Sequence, residues 1–171
     1  MKTQTSRLSP ESRLNAYVGL GDFVDCFEVG IDQTDVPLED VVQHIFLDLP
    51  VWIRLLLRVR DCAVAPLRLK TTQNLPTVSE AQASLTVGEP VNFLNVREKY
   101  ENEVILGEDD WHLDFRISIH RIAGKPDCLS MASWVRPHNF FGRMYLKAIL
   151  PFHTAIAKSQ LAATASHYRS A

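Results

Sequence analysis

The stretch Leu106–Arg121, LGEDDWHLDFRISIHR, indicates the fold class of this chain more clearly than any other. After a predicted turn at Gly107–Asp110, apolar and polar side chains alternate without a break. A period of two predicts a strand with one face on a hydrophobic core. The predicted core face carries Trp111, Leu113, Phe115, Ile117 and Ile119. The opposite face is a polar row of His112, Asp114, Arg116, Ser118 and His120.

Further strands are predicted on both sides of this stretch. Asp22–Ile31 forms a first strand, and Val91–Tyr100 with Glu103–Leu106 forms a hairpin. Cys128–Arg136 forms the last strand after a turn rich in glycine and proline. Between residues 67 and 90 the composition predicts a long connection with a short strand at Ala83–Val87. A connection of this length is either a functional lid or a loop without a function of its own.

Three helices are predicted from apolar residues that recur every three or four positions. The first helix begins near Pro37, and its apolar stripe is Leu38, Val41, Val42, Ile45 and Phe46. The second follows Pro50, and its stripe is Trp52, Leu55, Leu56, Val59 and Ala63, with Ile53 and Leu57 widening the apolar arc. The third spans about Asn139 to Ser166, with an inward stripe of Phe141, Met144, Tyr145, Ala148, Phe152, Ile156 and Ser159. Pro151 should kink it, because proline removes a helical hydrogen bond.

The element order predicts an α+β fold of the helix-grip type. In this fold a curved antiparallel sheet wraps around a long C-terminal helix, and a helix pair is inserted after the first strand. Residues 1–20 are expected to be a flexible lead that docks at Leu14, Tyr17 and Leu20. Residues 21–168 are expected to form the single domain.

The composition excludes several classes of protein. The 171 residues carry a formal net charge of −2, which argues against a nucleic-acid binder. The three cysteines lack a CxxC pair, so free thiols in a reducing, cytoplasmic compartment are expected. No secretory signal or long apolar run is seen in the sequence, so membrane insertion is not expected. Glu108–Asp110 lacks the spacing of a calcium loop, and no metal site is predicted.

Several motifs resemble those of a bacterial domain family of unknown function in the START-like superfamily. They are Leu106–Asp110 followed by His112–Arg116, Val135–Asn139 running into Gly142–Leu146, Leu150–His153 and, more weakly, Leu49–Trp52. The superfamily includes polyketide cyclases, lipid-transfer domains and pollen-allergen-like proteins. The resemblance implies a helix-grip fold with a hydrophobic cavity. Some relatives carry an NAD(P)-binding dehydrogenase-like domain, but this chain has no GxGxxG, so no cofactor is predicted.

A ligand pocket is predicted between the alternating strand and the last helix. Its expected lining is Trp111, Leu113, Phe115, Ile117, Trp134, Phe141, Met144, Tyr145 and Phe152. Its expected mouth is Arg136, His138, Asn139 and Arg143, where the helix N-terminus favours an anion. The alternative is a filled core in which Asn139 only caps the helix and Arg143 is solvated.

The sequence leaves three functions open. The first is a module that binds a small hydrophobic or amphipathic molecule without catalysis. The second is a cyclase or hydratase that uses His112, Asp114, Arg116 and His120 as acid and base, although the same row would also suit a solvated sheet face. The third is a regulatory partner of a separate dehydrogenase. A homodimer is compatible with each of them, and no catalytic triad can be assigned from spacing.

Overall fold

The computed structural model describes residues 3–64 and 85–169. Within them the chain forms a curved, seven-stranded antiparallel sheet with the order β1-β2-β7-β6-β5-β4-β3. The strands are β1 Gln4–Thr5, β2 Phe23–Gly30, β3 Pro90–Val91, β4 Leu94–Lys99, β5 Glu103–Asp109, β6 Leu113–Arg121 and β7 Cys128–Pro137. The helices are α1 Leu38–Leu47, α2 Val51–Val64 and α3 Phe140–His167. The predicted α+β class is confirmed.

The turn before β6 lies further along the chain than the sequence predicts. Strand β5 continues through Gly107, where a Cβ atom would lie 2.2 Å from the carbonyl oxygen of Phe115. Glycine therefore lets the two strands approach closely at a position that the sequence suggests is a turn. The chain reverses at residues 110–112, so β6 begins at Leu113 and Trp111 is 55% exposed. The core position predicted for Trp111 is wrong for this reason.

Helix α1 buries the predicted stripe, whereas α2 turns only one side of its predicted apolar arc inward. Leu38, Val41, Val42, Ile45 and Phe46 are all buried in α1. In α2, Ile53 is 1% exposed, while Leu55, from the predicted stripe, is 60% exposed. Apolar residues occur almost all around α2, so periodicity alone does not select the face that packs.

Helix α3 begins as predicted, because the Asn139 side chain accepts a hydrogen bond from the Gly142 backbone N–H at 2.9 Å. Its buried residues lie beside the predicted stripe, and they are Gly142, Leu146, Ala157, Gln160, Leu161, Thr164 and Ala165. Met144 and Phe152 are about half exposed. Pro151 lies inside the helix, and the kink expected there stays a prediction.

The segment before β2 packs on the outer face of the sheet, the face turned away from α3. Leu14 is fully buried there in a cluster of Cys26, Ile105, Ala132 and Trp134. Leu14 and Tyr17 thus lie where docking is predicted, and the flexibility expected for residues 1–20 stays a prediction. Leu20, in contrast, is fully exposed and does not dock.

Most of the predicted long connection, residues 65–84, lies outside the described residues, as does the start of the predicted strand at Ala83. Residues 85–87 are described, and they do not form a strand. Leu85 is buried, and its N–H donates to the carboxylate of Glu39 at 3.0 Å. Among the helices described, none has the length and apolar character needed to cross a membrane.

Candidate functional site

A cavity of about 940 Å³ lies between the inner face of the sheet and helices α2 and α3. The sheet contributes Phe23, Leu113, Phe115, Ile117, Met131, Ser133 and Val135 to its walls. The helices contribute Ile53, Leu56, Leu57, Arg60, Tyr145, Leu146, Ile149, Phe152, His153 and Ile156. Because alternate strand residues share a face, β6 and β7 present mainly apolar side chains to the cavity. Polar residues also line the cavity: Asn92, Asn95, Glu108, Asp110, Gln160 and members of two groups around Arg60 and His153.

The first group, called here the Arg60 end, consists of Arg60, His112 and Tyr145. The Arg60 Nε–H donates to the Tyr145 hydroxyl at 2.8 Å, and its guanidinium also bonds Asp61 at 3.0 Å. His112 is 2% exposed and packs edge-on against Tyr145, with ring centroids 5.0 Å apart. A guanidinium at the wall of an apolar cavity is suited to bind a carboxylate or another acceptor.

His112 is buried without a hydrogen bond to either ring nitrogen among the described residues. The nearest carboxylate oxygen, on Asp110, is 3.6 Å from Nδ1. Burial, together with the charge of Arg60, lowers the pKa of His112, although Asp110 opposes this. A neutral imidazole with an unpaired nitrogen can donate to or accept from a ligand.

Gly142 allows α3 to approach the turn that carries His112. A Cβ atom at this position would lie 2.0 Å from the His112 carbonyl oxygen. No side chain fits in that space, so glycine is required for the helix to lie against the turn. The close approach positions Tyr145, one turn further along α3, beside the His112 ring.

The second group, called here the His153 end, consists of Asp25, Ser133 and His153. Asp25 and Ser133 are directly opposite each other on β2 and β7, so their side chains share the inner face. The Ser133 Oγ is 3.0 Å from His153 Nε2, and an Asp25 carboxylate oxygen is 3.4 Å from the same nitrogen. The second distance is within ion-pair range, but neither Asp25 oxygen has the geometry of a hydrogen bond.

Sequence reasoning did not select these three residues as a site. One signal was present: Asp25 lies between Phe23 and Phe27, two core-facing positions of a strand. A carboxylate at a core-facing position lowers the stability of the fold unless it is paired, so its presence there indicates a partner or a functional role. Its partner His153 is 128 positions away in the chain, and spacing cannot reveal such a pairing.

A family of proteins of unknown function, DUF2867, matches residues 18–160. The chain belongs to the DUF2867 family. The prediction of a domain family of unknown function is therefore confirmed. No curated protein and no solved structure matches the chain. The DUF2867 match includes every residue of the Arg60 end and of the His153 end.

Five of the predicted pocket residues line the cavity of this DUF2867 chain: Leu113, Phe115, Ile117, Tyr145 and Phe152. Trp134 does not, because the inner face of β7 carries residues 131, 133 and 135. It packs instead on the outer face, with its ring 5.5 Å from that of Tyr17. Trp111 and Phe141 stack on each other at 5.5 Å beside His112, and Met144 is exposed.

The predicted mouth is not among the cavity walls. Arg136 binds Asp22 at 2.8 Å, and His138 lies 3.0 Å from the carboxylate of Asp114. Asn139 caps α3, and Arg143 is exposed. Both residues thus lie as the alternative to an anion-binding mouth predicts.

The polar row of four residues is divided between the two faces of the sheet. His112 precedes β6 and lines the cavity, whereas Arg116 lies on the outer face, where it binds Asp109 at 2.7 Å. His120, opposite Ser130, is buried on that same face. Asp114 shares the outer face with Arg116 and His120, so only His112 is separated from the predicted row. Within the residues that the structure describes, no group of three or more His, Cys, Asp or Glu side chains could hold a metal ion.

Proposed function

We propose that this protein is a binding module for a small amphipathic molecule, built on a helix-grip fold of the START-like type. The observation that carries the proposal is the cavity of about 940 Å³ with apolar walls between sheet and helices. Ligand pockets usually enclose about 300–1,000 Å³ and combine apolar walls with a few polar groups. A close-packed core would leave few voids larger than a water molecule.

The polar contact of the ligand is proposed at the Arg60 end. Arg60 supplies a positive charge that also contacts Asp61, and the nearby His112 has no hydrogen bond to either ring nitrogen among the described residues. Charge-assisted bonds from a guanidinium to a carboxylate are stronger and more directional than neutral ones. The ligand is therefore an apolar molecule with one acidic or strongly accepting group, and a fatty acid is the simplest example.

The two cysteines with described side chains support the proposed cytoplasmic location. Burial raises the pKa of the Cys26 thiol and, together with Glu28, raises the pKa of Cys128 to about 11. Both side chains are free thiols, which persist in a reducing compartment. The bacterial origin implied by the resemblance and a homodimer remain predictions.

The test is to fill the cavity from its helix wall. Ile149→Trp adds a large ring at a half-buried lining position, so binding of an environment-sensitive apolar dye should weaken by about tenfold or more. Fluorescence titration measures this affinity, and fatty acids should displace the dye from the unchanged protein.

Ile122→Trp is the matched control, because Ile122 is also half-buried but is not among the cavity walls. It should bind the dye as the unchanged protein does. If neither dye nor fatty acid binds the native protein, or if both tryptophan variants bind equally, the proposed cavity function is wrong.

An enzyme of the cyclase or hydratase type is the second candidate. The observation that favours it is His153, held at the cavity wall by Ser133 and next to the Asp25 carboxylate. An imidazole oriented by a carboxylate is a common arrangement for a general base. Turnover of a carbonyl-bearing substrate that is lost in His153→Phe would favour this candidate over binding alone.

A further inference from the structure

We propose that the ligand carries a hydroxyl group that donates to His153 Nδ1, about 12 Å from its acidic group at the Arg60 end. This inference rests on the proposed binding function and specifies the class of ligand: a hydroxylated, carboxylate-bearing chain. Three observations support it, namely the contacts of His153 Nε2, the solvent-inaccessible carboxylate of Asp25 beside it and the separation of the two polar groups.

The contacts of His153 determine which of its nitrogens carries the proton. Nε2 faces the Ser133 hydroxyl at 3.0 Å and an Asp25 oxygen at 3.4 Å. A carboxylate only accepts hydrogen bonds, so a proton on Nε2 is favoured beside it, and a lone pair there would be repelled. In a neutral imidazole the lone pair then lies on Nδ1, which can accept a hydrogen bond.

The other ring nitrogen is available to a ligand. Nδ1 of His153 has no hydrogen-bond partner among the described residues. Unlike the oxygens of Asp25, it is not fully buried. The ring itself is part of the cavity wall. An acceptor at the cavity wall favours a ligand with a donor at that position, because a buried hydroxyl without a partner is costly.

The burial of Asp25 supports the same conclusion. Both of its carboxylate oxygens are inaccessible to solvent, and neither makes a hydrogen bond. A carboxylate buried in this way costs stability, and the cost is offset where it orients a functional group. Asp25 is therefore a positioning residue, which acts on the ligand through His153 and does not touch it.

Two backbone spacings bound the distance between the polar groups. Ser133 is opposite Ile117, five positions after His112, and this corresponds to at most roughly 17 Å of extended chain. Tyr145 and His153 are eight positions apart on α3, which corresponds to about 12 Å of helix. Both elements run along the cavity, so its two polar ends are separated by one extended alkyl chain.

Isothermal titration calorimetry with two series of probes tests the inference. One series consists of fatty acids of increasing length, and the other consists of the same acids with a terminal hydroxyl. The hydroxy acid should bind about three- to tenfold more tightly than its unsubstituted match. The preference should be greatest when the hydroxyl and the carboxylate are about 12 Å apart.

His153→Phe should reverse the order, because the hydroxyl would then meet only apolar atoms and the unsubstituted acid would bind more tightly. His138→Phe is the matched control, since His138 pairs with Asp114 outside the cavity walls, and it should keep the preference. In the unchanged protein, ¹⁵N-edited NMR should find the His153 proton on Nε2. This measurement tests the proposal even if the His153 variant does not fold.

The outcomes separate this inference from the proposed function. Unsubstituted acids that bind as tightly as hydroxy acids at every length would overturn the hydroxyl subsite and leave the proposed function intact. A proton found on Nδ1 would also overturn the subsite. If no acid of either series binds, both the subsite and the proposed function are wrong.

Discussion

At the scale of single residues, Arg60 shows how one side chain gives a cavity its chemistry. It lies on the face of α2 that turns towards the sheet, although periodicity favours another face. There it bonds the Tyr145 hydroxyl at 2.8 Å, and its charge helps to keep His112 neutral. Arg143, which the sequence suggests as the anion site, is exposed on α3.

Arg60→Gln should weaken the binding of a fatty acid by roughly ten- to a hundredfold, because hydrogen bonds to a charged group contribute about 1.5–3 kcal/mol. The binding of an uncharged alcohol of the same length should change much less. Calorimetric titration of both ligands separates the effect of charge from that of shape.

Arg143→Gln is the control, since it makes the same change at an exposed position outside the cavity walls. It should leave the affinity for both ligands unchanged. A loss in Arg143→Gln without a loss in Arg60→Gln would mean that the anion binds at the N-terminus of α3 instead of at Arg60.

At the scale of elements, a buried carboxylate joins the N-terminal segment to the sheet. Glu103, the first residue of β5, accepts hydrogen bonds from the Ser12 hydroxyl at 2.6 Å and from the Arg13 backbone N–H at 2.6 Å. It also accepts one from the Ser118 hydroxyl at 2.5 Å. Three donors thus share one carboxylate that is itself almost fully buried.

Glu103→Ala should lower the free energy of unfolding by about 2–4 kcal/mol, because it removes three hydrogen bonds and leaves buried donors unpaired. Urea unfolding followed by tryptophan fluorescence measures the change. Glu101→Ala, two positions earlier in the exposed turn, should change stability by no more than about 0.5 kcal/mol. A similar small change in Glu103→Ala would show that the N-terminal segment does not depend on this carboxylate.

At the scale of the whole molecule, the half-buried His44 and the buried His112 make stability depend on pH. Burial lowers the pKa of His44, as does the charge of His167, whose ring stacks on it at 4.2 Å. Burial also lowers the pKa of His112. In the unfolded chain both histidines would have a pKa of about 6.5.

The two neutral histidines should therefore make their full contribution to the free energy of unfolding above about pH 6.5. This contribution should fall as the pH drops below that value, because the unfolded state then binds more protons than the folded state. The slope is at most about 1.4 kcal/mol per pH unit for each histidine. Urea unfolding at a series of pH values measures it. The double variant His44→Gln with His112→Gln should flatten the profile, whereas His138→Gln should not. A profile that is the same in both variants would contradict this account.

The sequence by itself determined the longer elements and their order, but not the two-residue strands β1 and β3. Apolar positions spaced by two residues predicted most of β6 and β7, and positions spaced by three or four predicted α1 with its buried stripe. Asn139 predicted the start of α3. These features depend on residues close in the chain, whose relative positions the backbone geometry of a strand or helix sets.

Only the tertiary structure decided which faces meet and which distant residues come together. Helix α2 is apolar on several sides, so packing, and not periodicity, selected the face with Ile53 and Arg60. Side chains alternate between the two faces of β7. Ser133 and Val135 lie on the inner face, so Trp134 between them packs on the outer face. His153 meets Asp25 across 128 positions because α3 packs on β2 and β7. Such contacts depend on how whole elements pack, and local sequence does not encode that packing.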